Sequence, residues 1–208
     1  MVDTMPGMNF VHLRTHTEYS VVDGMLRIDA LAAAARADGQ GACAITDLGN
    51  LFGAVKFYNA CRSQGVKPLL GADVWLENAA GADKPPSRLL LLVQDGTGYL
   101  NLSELLARAW VGNVQRNQAL IKWEWLAERG AGLIALSGAD GGAVGQALLA
   151  GETERAAQLA GRLAGLFPGR FFIELQRAGL PSNEAHVRAA VPLAAQLQLP
   201  VVATHPVQ

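Results

Sequence analysis

Short apolar runs alternate with amphipathic stretches along most of this chain. The apolar runs predict strands over 41–47, 66–76, 88–95, 131–138, 169–176 and 199–205. The amphipathic stretches predict helices over about 53–64, 98–110, 141–150, 152–166 and 181–197. Because parallel strands need long crossover connections, usually helical, this alternation favours a mostly parallel sheet with helices packed outside it.

Polar residues stand at the carboxyl end of most of the predicted strands. They are His16, Asp47, Asp73, Ser137, Gln176 and His205. The sequence contains neither GxGxxG nor GxxxxGK[ST], the phosphate-binding motifs often found in open doubly wound sheets. In a barrel, by contrast, all strand ends open onto one face, where ligands bind. The pattern therefore predicts an α/β barrel related to the TIM fold.

Length, composition and charge limit the classes of protein to which this chain can belong. The chain has 208 residues, 50% of them apolar, and a formal net charge of −1, which suits one large domain and not a free-standing DNA-binding protein. Cys43 and Cys61 lack CxxC spacing and are expected to be buried, inert thiols. No run approaches twenty apolar residues, so we expect a cytoplasmic protein without a membrane partner.

Nucleophilic catalysis finds little support in the sequence. There is no GxSxG motif, no base is evident for Ser137, and Cys43 lies in an apolar strand. Trp123 and Trp125 are too close in sequence for both to face inward on one helix. We expect one to be core and the other to cover a neighbouring loop, with an aromatic anchor for a partner protein as the alternative.

The segment FVHLRTHTEYSVVDG, residues 10–24, raises the question of a metal site. On a strand, His12, Arg14 and His16 would point to the same side. Histidines and carboxylates at strand ends, here His12, His16, Asp47, Asp73 and His205, could bind divalent cations. Arg14 argues against a bound metal, since a guanidinium repels a cation and cannot act as a ligand.

Five segments, in this order and spacing, closely resemble one known family. They are FVHLRTHTEYSVVDG, AITDLGNLFGAVKFYNACRSQGVKPLLGADVWL, GLIALSG, FFIELQRAGLP and LPVVATHPVQ. The resemblance is to the N-terminal PHP (polymerase and histidinol phosphatase) domain of bacterial DNA polymerase III alpha subunits, and it covers residues 10–208. It implies a distorted (β/α)7 barrel, with residues 1–9 as an N-terminal extension. It also implies a fragment of a longer polymerase that lacks the palm, fingers and later domains.

The resemblance also implies where the metal ligands of PHP domains would fall. The corresponding positions are Arg14, His16, Asp47, Leu48, Asp73, Ala139, Ala178, Pro206 and Gln208. Only His16, Asp47 and Asp73 keep residue types able to bind a metal. We therefore expect a degraded site with no metal and no catalytic residue. In that site Arg14 would replace the metal as a fixed cation bridging Asp47 and Asp73.

The resemblance further implies a role and a set of partners. The parent chain would be a DNA polymerase that uses Mg²⁺, whereas this domain itself needs no cofactor. The domain would stabilise the polymerase and dock the proofreading exonuclease (epsilon) subunit. It would contact the other domains of the alpha subunit, and it would meet DNA only as part of the parent polymerase. The alternative is residual phosphoesterase, pyrophosphatase or 3′–5′ exonuclease activity at the barrel mouth. A free-standing phosphatase of amino-acid metabolism is a more remote possibility.

Overall fold

The computed structural model describes residues 10–79, 81 and 84–208, so the predicted extension over residues 1–9 lies outside the described residues. The helices are α1 Ile28–Ala37, α2 Ala54–Gln64, α3 Gly96–Gly112, α4 Trp123–Arg129, α5 Ala143–Leu149, α6 Thr153–Leu166 and α7 Pro181–Gln196. The strands are β1 Ala42–Ile45, β2 Lys67–Leu76, β3 Ser87–Val93, β4 Val114–Gln115, β5 Gln118–Ile121, β6 Leu133–Leu136, β7 Phe171–Gln176 and β8 Val201–Thr204.

The strands form a sheet that is closed by an extended segment near the N-terminus. Neighbouring strands follow the order β4-β5-β2-β3-β6-β7-β8, and β1 pairs with β2. Residues 12–17, here called the seam segment, lie between β1 and the chain that follows β8. Thr46 donates its amide to the carbonyl of Thr15, and His16 donates its amide to the carbonyl of Val207. The barrel wall has seven elements: the seam segment, β1, β2, β3, β6, β7 and β8. The predicted distorted barrel is therefore confirmed.

Strand β3 runs against its neighbours. It pairs antiparallel with both β2 and β6, whereas β1–β2, β6–β7 and β7–β8 are parallel. The reason is the short connection from Glu77 to Pro86, whose described residues form no helix, so the chain returns as a hairpin without a helical crossover. The beginning of β3, and not its end, therefore lies beside the carboxyl ends of the parallel strands.

The barrel interior is divided into an apolar lower layer and a charged upper layer. The lower layer contains Leu13, Ala44, Leu69, Leu90, Leu92, Ile134, Leu136, Phe172 and Val202. Leu13 belongs to this layer although the next residue, Arg14, faces the charged one, so strict alternation breaks within the seam segment. Two larger apolar clusters fill the space between the barrel wall and the helices.

Of the two tryptophans in α4, one lies in the core, as the sequence predicts. Trp123 is buried and donates its Nε1–H to the carbonyl of Glu77 at 2.9 Å. Trp125 is half-buried and packs against the edge of the same core, with the Lys122 ammonium 5.5 Å from its ring centre. Among the described helices, none is both long and apolar enough to cross a membrane.

Candidate functional site

Arg14 is the centre of the charged layer at the barrel mouth. Its Nε donates to Glu174 Oε1 at 2.8 Å and its Nη2 to Glu174 Oε2 at 2.9 Å, a two-bond fork. Its Nη1 donates to Asp73 Oδ2. Burial opposes the charged form, but the negative charges of Asp73 and Glu174 outweigh it and raise the pKa of Arg14 above its ordinary value. The guanidinium is therefore permanently charged and held between two buried carboxylates.

Asp73 lies inside the barrel, on β2, and is fully buried. Besides Arg14 it contacts Arg88, whose Nε lies 3.1 Å from Oδ1, and His16, whose Nε2 lies 3.3 Å from Oδ2. The Arg88 guanidinium also stacks on the Trp75 ring, 4.5 Å from its centre. Burial alone would raise the pKa of Asp73, but the charges of Arg14 and Arg88 and the bond from His16 hold it well below its usual range.

Glu174 is the second buried carboxylate that Arg14 contacts, and it lies inward on β7. Its Oε1 accepts a bond of 2.6 Å from the Thr204 hydroxyl and one of 3.1 Å from the Gln176 amide. Its Oε2 accepts the backbone N–H of Gly138 at 3.1 Å. Two arginines and two acids thus balance in charge, and every carboxylate oxygen in this layer has a donor.

Asp47 does not join this network, so the predicted bridge from Arg14 to Asp47 is wrong. Its Oδ1 accepts the Thr17 amide at 2.6 Å and the Ser20 hydroxyl at 2.8 Å, and its Oδ2 accepts the Thr17 hydroxyl at 2.8 Å. Neutral donors from Thr17, the last residue of the seam segment, and from Ser20 in the following turn satisfy this carboxylate, so it needs no cation. Asp47 orders that turn while Glu174 takes the predicted place beside Arg14.

Acid is expected to weaken the fold through Asp73. Because the pKa of Asp73 in the folded state lies below the roughly 3.9 of an unfolded aspartate, folding favours the charged form. Its contribution to stability is complete above about pH 5, and it is lost as the pH falls through the unfolded value toward the folded one. Urea unfolding from about pH 6 to pH 3 should show a steeper loss for the wild type than for Asp73→Asn. Equal slopes would contradict the assignment.

The residues at the mouth do not fit a metal cluster. The cavity there, about 220 Å³, is lined by the guanidiniums of Arg14 and Arg88 together with His16, Asp23 and Asp73. Both Arg14 and His16 are bonded to the Asp73 oxygen that would face an ion. Within the described part of the chain, no three His, Cys, Asp or Glu side chains converge on a possible metal position. Arg14 and His16 therefore already occupy an Asp73 oxygen that a bound ion would need.

The other predicted positions of the degraded site offer no replacement ligands. Pro206 and Gln208 line the mouth cavity, while Leu48 is bridged through its backbone to Asp73. Ala139 is buried, and the backbone amide of Ala178 donates to Asn183.

Histidines outside the mouth do not replace the missing metal ligands. His12 lies against Phe10 and His205, with ring centres 4.9 Å and 6.5 Å away. His12 therefore does not follow Arg14 and His16 into the mouth, as an unbroken strand would require.

Two members of the network were absent from the sequence-based prediction. Glu174 could have been found as a lone acid within the apolar strand FFIEL, since a buried charge needs a partner. Arg88 gives no such signal, because its position at the mouth depends on the reversed direction of β3. Of the other polar strand ends, Gln176 joins the network, and the Ser137 hydroxyl accepts the backbone amide of Glu174.

Comparison with known proteins gives one family and one group of close relatives. The family described as "PHP domain" matches residues 12–178. The chain is 43% identical over 97% of its length to DNA polymerase III subunit alpha of Pseudomonas aeruginosa, and 49% identical over 96% to that of Neisseria meningitidis serogroup A. The Escherichia coli K12 subunit is 41% identical over 96% of the chain. The chain spans only 17–18% of the length of these relatives.

Solved structures show the same fold at low sequence identity. A protein from Bifidobacterium adolescentis described as a metal-dependent phosphoesterase aligns with a TM-score of 0.57 at 15% identity, covering 93% of this chain and 86% of that one. A two-domain protein from Bacteroides vulgatus, described as containing a PHP-like metal-dependent phosphoesterase, aligns with a TM-score of 0.56 at 13% identity, covering 95% and 51%. These likenesses concern the fold alone.

Proposed function

This chain belongs to the PHP domain family, and from that premise we propose that it is the PHP domain of a bacterial DNA polymerase III alpha subunit, with a structural role in place of catalysis. Support for the parent comes from the alpha subunits of three bacterial genera, each 41–49% identical over nearly the whole chain. The parent activity is DNA-templated DNA synthesis with Mg²⁺, carried by domains outside these 208 residues.

The ion-pair network carries the proposal that this domain is inactive. A PHP hydrolase needs divalent cations at the mouth, and here Arg14 binds both buried acids that face it. Removing a cation from a site built around carboxylates leaves buried negative charge, which is expensive unless it is compensated. Arg14 and Arg88 supply that compensation permanently, so the barrel keeps its shape without a metal.

Primer extension tests the assignment to a polymerase. The full polypeptide that contains this chain should elongate a primed template with Mg²⁺ and deoxynucleotides. The 208-residue chain alone should elongate nothing, since its described residues hold no cluster of three or more side chains that could bind a catalytic metal. Elongation by the 208-residue chain, or none by the full polypeptide, would contradict the proposal.

Docking of the proofreading exonuclease subunit is the second part of the proposed role. Its support is an apolar groove of about 290 Å³ beside the mouth, lined among others by Val22, Phe52, Trp75 and Trp110. Val22 is 88% exposed, Phe52 77% and Trp110 50%. Aromatic residues exposed together beside a groove are typical of the anchor points of protein interfaces.

Substitution of Phe52 by aspartate is expected to weaken binding of the exonuclease subunit at least tenfold, about 1.4 kcal/mol or more, because a charge replaces an apolar anchor. The exposed side chain leaves the core intact, so the thermal midpoint should stay near that of the wild type. Val191→Asp on α7 is the matched control, an exposed apolar residue outside the groove. Titration by surface plasmon resonance measures both. Equal affinity of the two variants would remove the groove from the interface.

A further inference from the structure

The barrel is closed by few contacts at one place. The seam segment meets the chain after β8 through the bridge between Thr15 and Val207. Two backbone hydrogen bonds hold it, from His16 to the Val207 carbonyl at 2.8 Å and from Val207 to the Arg14 carbonyl at 3.3 Å. One histidine precedes this bridge on each side, His12 on the seam segment and His205 after β8. The two imidazoles therefore flank the closing seam, away from the charged layer.

His12 has an unused nitrogen. Its Nδ1 is buried and has no hydrogen-bond partner among the described residues. Besides Phe10, its ring contacts that of His205, with centres 6.5 Å apart and planes inclined at 65°. His205 itself is exposed. Burial, and secondly the neighbouring His205, lower the pKa of His12, so its ring is neutral near pH 7 with a lone pair available.

The distance between the rings suits a shared metal ion after a small adjustment. Two imidazoles that bind one ion at the usual 2.0–2.1 Å nitrogen–metal distance have ring centres about 5 Å apart. His205 is exposed in the described part of the chain, so rotation of its side chain can close the remaining gap. Asp38 adds a negative charge close to His12. Gln40 connects the two, donating to Asp38 at 2.8 Å and accepting the His12 amide at 3.3 Å.

From this juxtaposition we propose that His12 and His205 bind one divalent ion of the imidazole-preferring class, Zn²⁺ in the first instance, across the closing seam of the barrel. Water completes the coordination, so the site has two protein ligands and is separate from the degraded centre at the mouth. The bound ion joins the seam segment at the start of the barrel to the chain that follows β8 at its end. By mass action it stabilises the folded chain and opposes opening of the seam.

Zinc titration of the 208-residue chain by isothermal calorimetry near neutral pH tests the proposal. The wild type should bind one Zn²⁺ per chain, and its thermal midpoint should rise with zinc concentration. Loss of an outer-shell partner already lowers metal affinity roughly 10- to 100-fold, so His205→Asn, which removes a ligand, should weaken binding at least tenfold. Because His205 is exposed, this variant is expected to fold normally without zinc.

Asp23→Asn is the control for the mouth, since Asp23 contacts His16 there and lies apart from His12. It should leave zinc affinity and the zinc-dependent shift unchanged. Three results would overturn the proposal: no saturable binding in the wild type, undiminished binding in His205→Asn, or loss of binding in Asp23→Asn. Because the titration uses no polymerase, exonuclease or hydrolytic readout, its failure leaves the proposed function unaffected.

Discussion

Replacement of Arg14 by alanine is expected to lower the free energy of unfolding by about 3–5 kcal/mol, the usual effect of removing one partner from a buried ion pair. Without the guanidinium, Glu174 loses two hydrogen bonds and Asp73 loses one. Asp73 still faces Arg88, but Glu174 keeps only neutral donors. Desolvation of an unpaired carboxylate then dominates, and chemical denaturation of the purified chain measures the loss.

Arg36→Ala is the matched control for this substitution. Arg36 is an exposed arginine near the end of α1 whose Nη1 donates to the backbone carbonyl of Gln64 at 2.6 Å. Exposed contacts of this kind contribute little, so the expected change is within about 0.5 kcal/mol. If Arg14→Ala costs less than about 1 kcal/mol, the network is not buried in the way described and Arg14 does not replace a metal.

A double-mutant cycle separates the ion pair from the loss of packing. Glu174→Gln should destabilise the chain on its own, because it leaves the Arg14 fork without its charged acceptor. Combining it with Arg14→Met should then cost less than the sum of the single effects. The expected coupling is about 1–3 kcal/mol, as for residues in one charged network. Additive effects would mean that Arg14 and Glu174 stabilise the barrel independently.

Charge balance explains why the charged layer can remain buried without a metal. Arg14 and Arg88 carry one fixed charge each, and Asp73 and Glu174 balance them inside a barrel whose lower layer is apolar. A divalent cation entering beside Arg14 would meet a guanidinium that is already bonded to the same carboxylates. The arrangement is therefore expected to stabilise the fold without a metal, in line with the proposed structural role.

Most of the barrel could be predicted from the sequence because its strands are apolar runs separated by amphipathic helices. The predicted strands over 41–47 and 169–176 enclose β1 and β7, and the predicted helix over 152–166 encloses α6. The hairpin β4–β5 was missed because its turn residues, Arg116 and Asn117, are not a typical Asn-Gly pair, although both adopt positive φ. Helix α1 was missed as well, and its N-cap residue, Arg27, makes no side-chain capping bond.

The site was predictable only in part, for reasons of geometry. Arg14 and Asp73 were named, and the structure places them in contact. The period of two suggested that His12 would join them, but Leu13 turns into the apolar layer and breaks the alternation. Arg88 reaches the mouth only because β3 is antiparallel, which depends on the path of a loop and not on a motif. Asp47 was misplaced because its bonds come from Thr17 and Ser20, which sequence spacing alone does not connect to it.

The most direct test of the account is hydrolysis of pyrophosphate and of a phosphodiester by the purified chain with added Mn²⁺ or Zn²⁺. A mouth closed by Arg14 should give no turnover above that of the metal ions in buffer, since no water can be activated between carboxylates that already bind a guanidinium. Turnover proportional to the amount of chain, and abolished by Asp73→Asn with the fold preserved by circular dichroism, would contradict the central claim and restore the mouth as a metal-dependent active site.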